Sequence, residues 1–268
     1  MAQPRPDGRT RNLCLRVITA AVLAPPVLAA VYFGNPWFES LVTLAAAVMM
    51  WEWIRVCSNG EFGLQGLGLV AGLLIAVAAG HLFDYRAALA ALAALGCVAV
   101  LSSWRSDRTR GLFLALGVLL VGMFAIAFPY LRDEPSFGRY LTIWLVCGVW
   151  ATDIGAYIIG KTVGGPKLAP RISPNKTWAG LAGGVAFASI WSIAWLSVPG
   201  GPQIYWTVAG GVAIALLAQG GDLSVSVLKR RYGVKDTSGL IPGHGGLLDR
   251  LDGMLLPAVS IVLVNGWL

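Results

Sequence analysis

YLTIWLVCGVWATDIGAYIIG, residues 140–160, carries a single charged side chain, Asp153. A helix of about 20 apolar residues crosses the hydrocarbon core of a bilayer, and this stretch is long enough to do so. An ionisable group at that depth is costly, so Asp153 marks a candidate site. Comparable runs occupy residues 13–33, 38–57, 64–83, 86–103, 111–130, 178–197, 204–228 and 250–268. With 57% hydrophobic and 12% charged residues and a mean hydropathy of +0.71, the chain reads as an all-α, polytopic integral membrane protein. We expect about nine transmembrane helices, the first kinked at Pro25 and Pro26. That first run is too long, and "LAAVYFGNPW" too poor a cleavage site, for a removable signal peptide. Cys14, Cys57, Cys97 and Cys147 are scattered through apolar runs and show neither metal-ligand nor disulfide spacing.

Orientation follows from the basic residues of the loops. If the N-terminus is cytoplasmic, that side collects Arg5, Arg9, Arg11, Arg55, Arg105, Arg108, Arg110, Lys161, Lys167, Arg171, Lys176, Lys229, Arg230, Arg231, Lys235 and Arg250. The other side keeps only Arg86, Arg132 and Arg139. The expected orientation is therefore N-terminus inside and C-terminus outside. Net charge is +7, which suits anionic lipid or a phosphorylated substrate. We expect no nucleic-acid partner, because there is no soluble basic domain to hold one.

Charge concentrates in GDLSVSVLKRRYGVKDTSGLIPGHGGLLDRLDG, Gly221–Gly253, at the end expected to face the cytoplasm. Asp222, Ser226 and Lys229 are spaced i, i+4, i+7 and share one helical face. A carboxylate, a hydroxyl and an ammonium together suit a metal ion and a phosphate; a solvated helix end with an ion pair is the plainer alternative. In IPGHGG, Gly243, Gly245 and Gly246 free backbone N–H groups to meet an anion, and His244 is a further donor; a flexible turn has the same composition. Asp249 and Asp252 open the last helix, where its dipole alone favours carboxylates. Facing Asp222, they would offer oxygens to a hard cation such as Mg²⁺. Arg250 is placed to pair with them or with a phosphate.

Asp153 lies about 12 Å along its helix from Lys161, so it reaches the same side. Tyr157 follows it at i+4. A Gly- and Pro-rich loop then carries Lys161, Lys167, Arg171 and Lys176, with the hydroxyls of Ser173 and Thr177 around Lys176. A positive-inside loop is the alternative reading, above all for Lys167 and Arg171. Glu39, Glu52 and His81 read as interfacial anchors or interhelix bonds rather than chemistry. The assembled pieces imply metal-assisted chemistry on a phosphorylated substrate, with metals and cations neutralising charge. A site among membrane helices implies a lipid as one substrate.

The stretch SVLKRRYGVKDTSGLIPGHGGLLDRLD, Ser226–Asp252, closely resembles the signature of phosphatidate cytidylyltransferases, or CDP-diacylglycerol synthases. "GD" at Gly221 and Asp222, "D-x-GAY" at Asp153–Tyr157 and "SPxKTW" at Ser173–Trp178 are also similar to that family. Such proteins often carry Glu or Gln after "KTW", where this chain has Ala179. The resemblance implies that CTP and phosphatidate give CDP-diacylglycerol and pyrophosphate in phospholipid biosynthesis. It implies catalytic roles for Asp222, Asp249, Lys229 and His244, and Mg²⁺ held by Asp222 and Asp249 with Asp252 as a third candidate. It implies substrate contacts from Asp153, Tyr157, Ser173, Lys176, Thr177, Ser226, Arg230, Lys235, Asp236, Gly245, Gly246 and Arg250. Residues 140–268 are then the catalytic region, and 1–139 a helical scaffold with lipid access. A bacterial inner membrane, a site facing cytoplasmic CTP, and a homodimer are further implications. Two alternatives stay open: the same chemistry on another lipid phosphate, and an ion-coupled transporter. The transporter would place its charges near the midplane on paired broken helices, whereas here they crowd one end.

Overall fold

In the computed structural model, residues 22, 24–135, 137–195, 204–241 and 245–265 are described. Within the described residues, each expected apolar segment meets a helix. They are α1 (Ala24–Phe33), α2 (Trp37–Cys57), α3 (Gly63–Leu82), α4 (Tyr85–Ser103), α5 (Arg108–Arg132), α6 (Gly138–Thr162), α7 (Trp178–Ala194), α8 (Ile204–Arg231) and α9 (Leu248–Asn265). The fold is that of an all-α polytopic membrane protein. The count of nine spans is not reached among the described residues. Six helices are long and apolar enough to cross a bilayer: α2 to α6, and α8 from Thr207 to Arg231. Helix α7 has 17 residues, the described part of α1 is shorter still, and α9 carries Asp249 in its first turn and Pro257 inside.

Local chemistry sets the helix starts. Asp84 and Asp107 accept the N–H groups of Ala87 and Arg110, at 2.7 and 3.0 Å, and so cap α4 and α5. Thr177 caps α7 by accepting from Gly180 N at 3.0 Å. The loop before α7 is more ordered than its Gly and Pro content suggests. Strands β1 (Lys167–Ala169) and β2 (Ser173–Thr177) pair antiparallel, with Lys167 opposite Thr177 and Ala169 opposite Ser173. This hairpin, unforeseen from the sequence, stands β2 directly before α7 and fixes where Lys176 points.

The core joins both halves of the chain. Met49, Met50, Trp53 and Ile54 of α2 are fully buried with Leu114, Val118 and Val121 of α5, Leu228 of α8, and Leu248 and Leu255 of α9. The Trp53 indole donates to Phe113 O at 2.8 Å, which satisfies its one polar atom. On the other side of the molecule α6 lies along α7, and α7 along α8. Small residues permit these approaches. A Cβ on Gly155 would lie 2.6 Å from Gly183 O, and one on Gly221 would strike the carbonyl oxygen of Asp252. Helices α8 and α9 are therefore in backbone contact where the acidic residues sit. Gly221→Ala is expected to destabilise by about 1–3 kcal/mol through overpacking. Thermal unfolding in detergent checks this, with Gly239→Ala as control because a Cβ there meets nothing within 4 Å.

Candidate active site

Two lysine–aspartate pairs form the centre. The Lys176 ammonium, from β2, is 2.7 Å from Asp222 Oδ2 on α8 and donates to Gln219 Oε1 at 2.8 Å. Ser226, one turn on, donates to Asp222 Oδ1 at 3.2 Å. The shared face of Asp222, Ser226 and Lys229 thus exists, but Lys229 turns to a different carboxylate. Its ammonium is 2.7 Å from Asp249 Oδ1. This second pair is the more enclosed, with side chains 11% and 5% exposed against 15% and 33% for Lys176 and Asp222.

Asp249 does not simply face Asp222 across the helix mouth. Its Oδ2 accepts from Thr237 N at 2.8 Å, Thr237 Oγ1 at 3.0 Å and Gly246 N at 3.0 Å. Both oxygens are engaged, so Asp249 organises the loop between α8 and α9 as well as Lys229. Asp252 accepts from Gly253 N at 2.9 Å. It lies within electrostatic reach of Asp222, Lys229 and Asp153, and Asp153 within reach of Asp222, Lys176 and Arg250. Four carboxylates and three cationic groups from α6, β2, α8 and α9 are therefore gathered at one end of the bundle.

The other expected contributors are spread from the β1–β2 hairpin to the loop before α9, where Gly245 and Gly246 adjoin Asp249. Tyr157 is 67% exposed and meets Lys161, whose ammonium sits 5.5 Å from the ring centroid. The Thr177 hydroxyl is buried and caps α7. Ser173 opens β2 opposite Ala169. Arg230 donates to Ile172 O at 3.1 Å and Val234 O at 3.4 Å, tying the hairpin to the loop after α8. Lys235 and Asp236 are exposed on that loop. Gly245 has φ +83°, a conformation that favours glycine, and its carbonyl accepts from Ile241 N at 2.9 Å. Gly246 is buried, and a Cβ there would run into Thr237 Oγ1. His244 lies outside the described residues.

Sequence reasoning underrated Glu52 of α2, which is fully buried and bonded to this same loop. A carboxylate inside an apolar run was the available signal. Gln219, one turn before Asp222, was also missed; an amide spaced i, i+3 from a site carboxylate shares its face.

Among the described residues no three His, Cys, Asp or Glu side chains converge tightly enough to hold a metal by themselves. Mg²⁺ does not need such a cage, since it is commonly held by one or two carboxylates together with substrate phosphates. Asp222 keeps accepting capacity for a cation, with the Ser226 hydroxyl on Oδ1 and the Lys176 ammonium on Oδ2, whereas Asp249 would have to release Lys229 from Oδ1 to hold one. Asp153 and Asp252 stand nearby as further oxygen donors.

The fold and site define a polytopic membrane protein with an acid-and-lysine centre suited to phosphate chemistry. The family model of the Cytidylyltransferase family matches residues 14–266, and the chain belongs to that family. The match reaches well beyond the stretch whose motifs carry the resemblance, into the helices of the N-terminal half. Among similar proteins is the phosphatidate cytidylyltransferase of Brucella suis biovar 1 (strain 1330), 35% identical, with 94% of this chain and 93% of the relative aligned. That of Rickettsia bellii (strain RML369-C) is 35% identical over 97% and 94% of the two chains. That of Pseudomonas aeruginosa (strain PAO1) is 32% identical over 94% and 97%.

Proposed function

We propose that the chain transfers a cytidylyl group from CTP to phosphatidate, giving CDP-diacylglycerol and pyrophosphate. The observation that carries this reading is the pair of lysine–aspartate contacts, Lys176–Asp222 and Lys229–Asp249, within one acidic cluster at a helix-bundle end. A phosphate oxygen of phosphatidate attacks the α-phosphorus of CTP. The bond from that phosphorus to the bridging oxygen breaks, and pyrophosphate leaves with the electron pair. Asp222 and Asp249 would hold Mg²⁺, with Asp252 as a third donor. When bound, the ion would neutralise phosphate charge that builds during transfer. Lys176 and Lys229 are the cations nearest those carboxylates and would turn to the phosphates of the two substrates, joined by Arg230 and His244. Asp153 and Arg250 flank the cluster and orient the nucleotide or its phosphates. Once turned to the phosphates, such cations would stabilise the charge that develops in the transition state.

We place the chain in a bacterial inner membrane with the site toward the cytoplasm, where CTP is found, and with the acyl chains left in the inner leaflet. Purified protein in detergent, given CTP labelled in its cytidine together with phosphatidate and Mg²⁺, is expected to move label into the organic phase, and EDTA to prevent it. Label that moves only with a different lipid phosphate would keep the chemistry and change the acceptor. Folded protein that labels no lipid phosphate would overturn the reading.

A further inference from the structure

We propose that Glu52 is a positioning residue for the transfer reaction: from the N-terminal half of the chain it caps α9, which carries Asp249, and sets the loop that leads into it. The inference rests on the function proposed above for that site. Glu52 lies within the apolar helix α2, between Trp51 and Trp53, and is 0% exposed. A carboxylate so buried is strongly unfavourable unless several donors meet it. All of its hydrogen-bond donors come from one segment more than 180 residues away. Oε1 accepts from Ser238 Oγ at 2.5 Å and Leu247 N at 2.9 Å. Oε2 accepts from Leu248 N at 2.6 Å and Thr237 Oγ1 at 3.3 Å.

The choice of partners gives the role. A helix begins with N–H groups that no carbonyl of its own satisfies. At the start of α9, Leu247 and Leu248 N–H go to Glu52, and Gly246 N–H goes to Asp249. Two carboxylates from opposite ends of the sequence thus divide one helix terminus, where negative charge is favoured. The Thr237 hydroxyl lies between them, 3.3 Å from Glu52 and 3.0 Å from Asp249. Gly246 closes the contact, since a Cβ there would lie 2.6 Å from Glu52 Oε1. Glu52 touches neither lysine of the centre in the contacts above. It acts through the loop, by fixing the rotation and height of α9 and hence of Asp249 and Asp252.

The test compares wild type with Glu52→Gln, Glu52→Asp and Ser238→Ala in detergent. It reads kcat, KM for CTP and KM for phosphatidate, together with amide hydrogen exchange. Gln keeps the shape but replaces one acceptor oxygen with a donor that confronts a backbone N–H. It is expected to lower kcat by on the order of 10²-fold, the scale set by a misplaced catalytic group, with both KM values within about threefold of wild type. Loss of exchange protection is expected in residues 237–249 and not in α5 or α6. Glu52→Asp, which keeps the charge but is one methylene shorter, should recover part of kcat. Ser238→Ala deletes the bond to Glu52 from the loop side, together with the local one that Ser238 Oγ accepts from Leu240 N at 3.1 Å, and is expected to cost about tenfold in kcat.

A kcat for Glu52→Gln within about threefold of wild type would overturn the proposal. So would deprotection spread over the whole bundle, with the remaining folded fraction turning over at the wild-type rate. If Glu52→Gln does not fold, Ser238→Ala decides, and an unchanged kcat there counts against the role. Should wild type make no CDP-diacylglycerol at all, the proposed function fails. The exchange comparison then still reads the tether: local deprotection of 237–249 keeps it, and unchanged protection removes it.

Discussion

Asp222→Asn is expected to lower Mg²⁺-dependent turnover by on the order of 10²- to 10³-fold while leaving the protein folded, the scale seen when one preorganised electrostatic group is removed. Asn keeps the size of Asp and still accepts from Ser226, so the packing of α8 is undisturbed. What it loses is the charge that meets Lys176 at 2.7 Å and that would hold the metal. Asp222 is one-third exposed, so the ion pair is partly screened and its loss should hardly move the unfolding temperature. Gln219 stays beside the Lys176 ammonium, which is therefore not left bare. Initial rates measured against Mg²⁺ concentration check the prediction. Unaltered rates and an unaltered Mg²⁺ dependence would remove Asp222 from the metal assignment.

Lys229→Met has the second largest expected effect, and it is on stability as well as rate. The Lys229–Asp249 pair is nearly enclosed, so removing the lysine leaves a buried carboxylate without its cation. Breaking a buried pair in this way costs roughly 3 kcal/mol or more. The three remaining donors to Asp249 Oδ2 favour the low end of that range. The double variant Lys229→Met/Asp249→Asn removes the stranded charge as well. It should regain part of the unfolding temperature while remaining inactive. Stability and activity then separate, and a cycle of the two single variants and the double measures their coupling. Activity returning with stability would reduce the pair to a structural ion pair and take Lys229 out of the reaction.

These predictions depend on information of two kinds. The helices were legible in the sequence because bilayer thickness and backbone hydrogen bonding constrain one segment at a time. Each apolar run can be measured against that length without knowing its neighbours, and α6 and α8 end within a few residues of where hydropathy places them. The helical period likewise put Asp222, Ser226 and Lys229 on one face from spacing alone. Periodicity says which residues share a face and nothing about what stands opposite. That Lys176 meets Asp222 depends on the β1–β2 hairpin, whose pairing is made across the turn Pro170-Arg171-Ile172. That Lys229 chooses Asp249 depends on a loop folded over by Thr237 and Gly246. Glu52 shows the difference most plainly. In the sequence it is a lone carboxylate between two tryptophans. In the fold it is bonded to residues 237, 238, 247 and 248. The sequence by itself determined where the apolar helices run and the chemical character of the site, because length, hydropathy and charge act locally. Only the tertiary structure decided which cation answers which carboxylate, because that choice is made between helices brought together by packing.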